Sequence, residues 1–154
     1  MAIKFVVVGP TKERFFQQSE QEYLKRLGKY CKLHYVQLPA SKKTENRELC
    51  LKMEEEGFLK QIAETDYLVI LDEAGKEFSS RKFSKNVNDL LVNQPNVVFA
   101  IGGAFGFSDS VYQRANDKWS LSLLTFPHHL VRTIFLEQLY RSFTILNGEN
   151  YHND

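Results

Sequence analysis

Three internal stretches of this 154-residue chain, and its C-terminal tail, combine residues that could do chemistry. The first is "VVFAIGGAFGFSDSV", residues 97–111, an apolar run that turns glycine-rich at Gly102, Gly103 and Gly106. Glycines let bare backbone N–H groups approach a small planar or extended ligand; they equally serve a tight turn from strand to helix. Two phosphate readings fail. A dinucleotide fingerprint, G-x-G-x-x-G, belongs in the first βα turn. Here the pattern is G-G-x-x-G after the fourth strand, and the first turn, "GPTKERF", has none. A P-loop needs Gly-Lys-Ser/Thr, whereas Gly106 is followed by Phe107 and Ser108.

The second stretch is "LDEAGKEFSS", residues 71–80. Glu-Ala-Gly-Lys reads as a tight turn with Gly75 at the bend. Asp72 and Glu73 form an acidic pair, with no further metal ligand at a telling spacing. The third is "SLSLLTFPHHLVR", residues 120–132, where Pro127 opens a helix whose N-terminus offers free N–H groups. His128 and His129 are adjacent, so on a helix they diverge and make a poor metal pair. The tail, "NGENYHND", carries Tyr151 and His152. Tails are commonly disordered, yet an imidazole moves protons near neutral pH and a tyrosine ring stacks on bases. Arg141 follows Glu137 by one helical turn, the spacing of an ion pair.

The elements that must hold these groups alternate. Strands are expected at 3–9, 32–39, 67–72, 96–103 and 119–124. Helices are expected at 12–30, 46–63, 79–93, 108–116 and 127–148. Such alternation implies a mostly parallel sheet with helices on both faces. Ligands bind beyond the carboxyl ends of its strands, where all three loops fall. The last helix is apolar over much of its girth, from Val131, Phe135, Leu139, Phe143 and Leu146 to Leu130, Ile134, Leu136 and Tyr140. It therefore buries more than one side, either inside one domain or against a second copy.

Composition is that of a globular chain of one domain, 43% hydrophobic and 25% charged. The formal net charge is +1, which announces no nucleic-acid binder. The charge is uneven, however. Residues 1–63 carry 12 Lys and Arg against 8 Glu, and residues 64–154 carry 8 against 11 Asp and Glu. The basic half could meet phosphates. Cys31 and Cys50 form no metal or redox motif. No apolar run reaches bilayer length, and the start lacks a cleavage site, so a cytoplasmic protein without a membrane anchor is expected.

Together "LDEAGKEFSS", "FAIGGAFGFSD" and "WSLSLLTFPHHLVRTIFLEQLYRSFTILNGENYH" resemble the small SPOUT-class methyltransferases. The match is to the ribosomal RNA large subunit methyltransferase H family, over the whole chain and most densely over residues 71–152. The resemblance implies one SPOUT domain over residues 1–154, a C-terminal trefoil knot and a homodimer. It implies methyl transfer from S-adenosylmethionine, without a metal, to N3 of a pseudouridine in 23S rRNA within the ribosome. Family positions put the cofactor on Leu71, Gly103, Ser122, Leu123, Leu124, Thr125, Phe126 and Pro127. At the acceptor, His152 is the candidate base and Tyr151 orients or stacks the nucleobase. Arg141 neutralises developing charge or holds a phosphate. Lys25, Arg26 and Lys29 are the candidate RNA face. Two rivals are a ribosome-associated or assembly factor without turnover and a nucleotide- or NAD-binding α/β oxidoreductase. The intact loops and tail argue against the first, and the absent fingerprint against the second.

Overall fold

Parity along the strands sets the architecture. In a strand, successive side chains point to opposite faces, and here both sets are apolar. Ile3, Phe5 and Val7 share one core with Val69, Leu71, Val97, Phe99 and Ile101. Val6 and Val8 share the other with Leu68, Ile70, Val98 and Ala100. A sheet buried on both faces needs helices on both. The structure, a computed structural model, describes residues 2–41 and 45–154.

The order of elements is β1 (Ala2–Val8), α1 (Arg14–Leu27), β2 (Lys32–Leu38), α2 (Arg47–Gln61), β3 (Tyr67–Glu77), α3 (Ser80–Asn93), β4 (Asn96–Ile101), α4 (Asp109–Arg114), β5 (Asp117–Ser120) and α5 (His128–Leu146). The five strands pair in parallel, in the order β2-β1-β4-β3-β5. The first core takes Leu27, Phe83, Val87, Phe135 and Leu139, so α1, α3 and α5 cover one face. The second takes Phe58, Ile62 and Val111, so α2 and α4 cover the other. Asn46, Ser79 and Ser108 cap α2, α3 and α4 by accepting from the N–H groups of Leu49, Lys82 and Val111.

Two expected boundaries are corrected. The expected turn at Gly75 lies within β3, which runs on to Glu77. Leu71 and Lys76 both register with Trp119, so residues 72–75 bulge out between them. Gly75 passes so close to β5 that an added Cβ would stand 2.6 Å from the Trp119 carbonyl carbon. Glycine here serves a close backbone approach. The strand expected at 119–124 is instead β5, Asp117–Ser120, and residues 121–127 form the connection to α5. The alternation of Leu121, Leu123 and Leu124 with serines mimicked a strand.

The wide apolar girth of α5 is largely taken up within the chain, because α5 packs against both α1 and α3. Its Arg132 is 1% exposed. The guanidinium donates to the Val8 carbonyl and, at 2.9 Å, to Thr11 Oγ1. Thr11 in turn donates to Glu20 at 2.8 Å, as does Tyr35 at 2.7 Å. A buried polar chain thus ties α5 to the end of β1, to α1 and to β2.

Candidate active site

The end of β3, the glycine loop after β4 and the segment before α5 meet around a cleft of about 290 Å³. Leu71, Ile101, Leu121, Phe126 and Val131 give it apolar walls, and Gly102, Gly103 and Gly106 supply bare backbone. The glycine loop closes on itself, with Gly106 N donating to the Gly103 carbonyl at 3.0 Å. Behind this wall stands Glu54 of α2, 8% exposed. A Cβ on Gly103 would fall 2.0 Å from Glu54 Oε1. Burial pushes the Glu54 carboxyl above its ordinary pKa.

The acidic pair on the bulge holds α4 and the segment before α5. Tyr112 of α4 donates to Asp72 Oδ2 at 2.7 Å, and Thr125 donates to Glu73 Oε2 at 2.8 Å. Burial, then the bond to Asp72, pushes the Tyr112 phenol up to about 12, so it remains a donor. Asp72 and Glu73 also line the cleft, whereas no lysine or arginine lines it among the described residues. His128 stands in the first turn of α5 and lines it too. Burial, followed by the charges of His129 and Arg132, lowers its pKa.

Of the residues expected at the cofactor, Leu71, Gly103, Ser122, Leu124, Thr125, Phe126 and Pro127 line the cleft. Leu123 does not; its side chain is 75% exposed. Among the described residues no group of three or more His, Cys, Asp and Glu is arranged to hold a metal ion, and no helix is long and apolar enough to cross a membrane.

Arg141, Tyr151 and His152 form a second cluster near the far end of α5. Arg141 donates through Nε and Nη2 to Glu137 Oε1, at 3.0 and 2.5 Å. Its Nη1 lies 3.1 Å from His152 Nδ1. Tyr151 donates to the same Glu137 oxygen at 3.2 Å, and the Arg141 guanidinium covers its ring at 4.7 Å. Burial, then Tyr23 and Glu137, pushes the Tyr151 phenol up. The tail is pinned. Tyr30 donates to Glu149 at 2.6 Å, and Arg81 pairs with Asp154. Tyr140 meets Tyr151 edge-on at 4.8 Å, and Arg26 lies over the Tyr140 ring at 5.5 Å. The α1 basic face therefore adjoins the tail.

Arg141 follows His128 by thirteen helical steps, about 20 Å along the axis. The two clusters of one chain are thus far apart. Reading the sequence leaves Glu137 as the plain partner of Arg141, and it leaves Tyr112 and Glu54 without a role. The four-residue spacing marked Glu137; nothing local marked the other two, which brace the cleft's rim and wall from α4 and α2.

A doubly covered parallel sheet with a glycine-walled cleft at its carboxyl edge belongs to a recognisable class. The family model described as "Predicted SPOUT methyltransferase" matches residues 1–152, and the chain belongs to this family. Its relatives carry a narrower name. The chain is 42% identical over 158 residues to the ribosomal RNA large subunit methyltransferase H of Enterococcus faecalis, covering 99% of each chain. It is 41% identical over 157 residues to that of Parabacteroides distasonis, covering 100% of each. With that of Clostridium acetobutylicum it shares 42% over 158 residues, again 99% of each.

Proposed function

We propose that this chain is a ribosomal RNA methyltransferase that transfers the methyl of S-adenosylmethionine to N3 of a pseudouridine in 23S rRNA, on the assembled ribosome in the cytoplasm. Full-length likeness to large subunit methyltransferases H supports the rRNA acceptor. The observation that carries the donor is the cleft: an apolar slot, walled by bare glycine backbone and rimmed by Asp72 and Glu73. Such a slot fits an adenine-sized heterocycle bearing a cationic sulfonium. Its two carboxylates would repel a pyrophosphate, which disfavours a dinucleotide.

In this reading Leu71, Gly103, Ser122, Leu124, Thr125, Phe126 and Pro127 hold the cofactor, with Leu123 contributing backbone only. S-adenosylmethionine supplies an already activated methyl, so the protein's own work is alignment and charge handling. Thr125–Glu73 and Tyr112–Asp72 tie the segment before α5 and helix α4 to the bulge and keep the slot in shape. Arg141, Tyr151 and His152 receive the base. Since that cluster lies about 20 Å from the slot of its own chain, the acceptor site is completed by the tail of a second copy in a homodimer. Residues 1–154 act as one SPOUT domain, with the family's trefoil knot in its C-terminal part. Lys25, Arg26 and Lys29 face the rRNA.

Titration calorimetry tests the donor: the protein binds S-adenosylmethionine at one site per chain, and NAD gives no heat. Binding of NAD instead would overturn the reading. Charge reversal at Lys25, Arg26 and Lys29 weakens ribosome binding and flattens its salt dependence; unchanged binding would exclude this face.

A further inference from the structure

We infer that His152 acts as a hydrogen-bond donor, presenting Nε2–H to a carbonyl oxygen of the acceptor base, and is not the base that removes the acceptor's proton. The inference rests on the methyltransferase reading and refines its acceptor side.

The neighbours of the ring decide its tautomer. Arg141 Nη1 stands 3.1 Å from His152 Nδ1. A guanidinium has five N–H donors and no acceptor, so Nδ1 must offer a lone pair and neutral His152 carries its hydrogen on Nε2. Arg141 is held in place by both of its bonds to Glu137 Oε1. Glu137 is fixed in turn: Gln138 Nε2 donates to Oε2 at 2.7 Å, and Gln138 Oε1 accepts from Ser80 at 3.0 Å. A chain of fixed groups from α3 through α5 thus orients the imidazole. Asp154, within electrostatic reach of His152, is taken up by Arg81. Among the described residues none hydrogen-bonds to Nε2, which leaves that N–H for a ligand.

The chemistry needs such a donor. N3 of a pseudouridine lies between two carbonyls. When N3 gives its proton to bulk water, negative charge spreads onto both oxygens. The N3 lone pair then forms the new N–C bond as the methyl's bond to sulfur breaks, and that electron pair stays on sulfur. A fixed N–H at a carbonyl oxygen stabilises the anion as an oxyanion hole does. To serve as the base, His152 would have to move its hydrogen to Nδ1 and lose Arg141.

The test compares wild type with His152→Gln and His152→Ala in single-turnover methyl transfer to undermethylated ribosomes, with S-adenosylmethionine saturating. Alongside it, nitrogen NMR of the free protein reads the His152 tautomer. Glutamine keeps a terminal N–H donor and has no basicity. His152→Ala slows transfer about a hundredfold and His152→Gln stays within about tenfold of wild type, with the wild-type ring protonated at Nε2. Transfer by His152→Gln as slow as by His152→Ala, or a ring protonated at Nδ1, would overturn the inference. The NMR readout needs no turnover, so a wild-type protein inactive on rRNA would overturn the proposed function and leave the tautomer to decide this assignment.

Discussion

Gly103 and Glu54 meet across the wall of the cleft, and each limits what the other position tolerates. An alanine at 103 would drive its Cβ to 2.0 Å from Glu54 Oε1. Gly103→Ala therefore weakens S-adenosylmethionine binding by about tenfold or more, and adding Glu54→Ala restores part of the loss. Calorimetry with the two variants checks this; wild-type affinity in Gly103→Ala would refute it. Glu54 also has a pH signature. Burial raises its folded pKa above the unfolded value. Its favourable contribution is complete below the unfolded pKa and is lost as pH rises through the folded one. A neutral amide escapes that loss. Glu54→Gln should raise the melting temperature at pH 7 by about 2 °C and leave it unchanged at pH 4. A gain equal at both pH values would contradict the burial argument.

Among the elements, the bulged β3 shows where sequence reading succeeds and fails. The buried cores of β3 and β4 and the span of α5 opened by Pro127 were legible, because periodicity and breakers are local signals. Glu-Ala-Gly-Lys read as a turn because turn chemistry and a bulge use the same residues. Only the partner strand distinguishes them, and the approach of Gly75 to Trp119 is a contact 44 residues distant in sequence. Gly75→Ala should cost about 2 kcal/mol or more, read from urea unfolding; a loss under half of that would mean that β3 and β5 can move apart. The cleft was legible as three loops at strand ends. The bonds of Tyr112 and Thr125 to the acidic pair were not, because each joins elements that only the sheet order brings together. The tail was legible only by its residue types. Its anchoring at Tyr30, Glu137 and Arg81 depends on the turn after α1 and on two helices, α5 and α3.

At the scale of the whole molecule, one chain holds the proposed donor cleft at one end of α5 and the proposed acceptor cluster of Arg141, Tyr151 and His152 towards the other. Their separation makes a complementation test decisive. With S-adenosylmethionine held well below the weakened affinity of Gly103→Ala, that variant and His152→Ala disable opposite halves, so heterodimers purified with two tags carry one intact composite site and recover about half of wild-type turnover per dimer. Inactive heterodimers would mean that each chain uses its own tail. The same scale explains a reader of RNA with a net charge of only +1. On the proposed reading so small a surface relies on the shape of the assembled ribosome, and deproteinised rRNA should be the poorer acceptor.

Methyl transfer to a 23S pseudouridine is open to direct assay. The most direct measurement incubates the protein and labelled S-adenosylmethionine with ribosomes lacking this modification, and in parallel with their deproteinised rRNA, and then maps the label by mass spectrometry. One methyl per ribosome is expected, at N3 of a single 23S pseudouridine, with ribosomes the better acceptor. Bound S-adenosylmethionine with no label on either acceptor, or label on any other nucleotide, would contradict it.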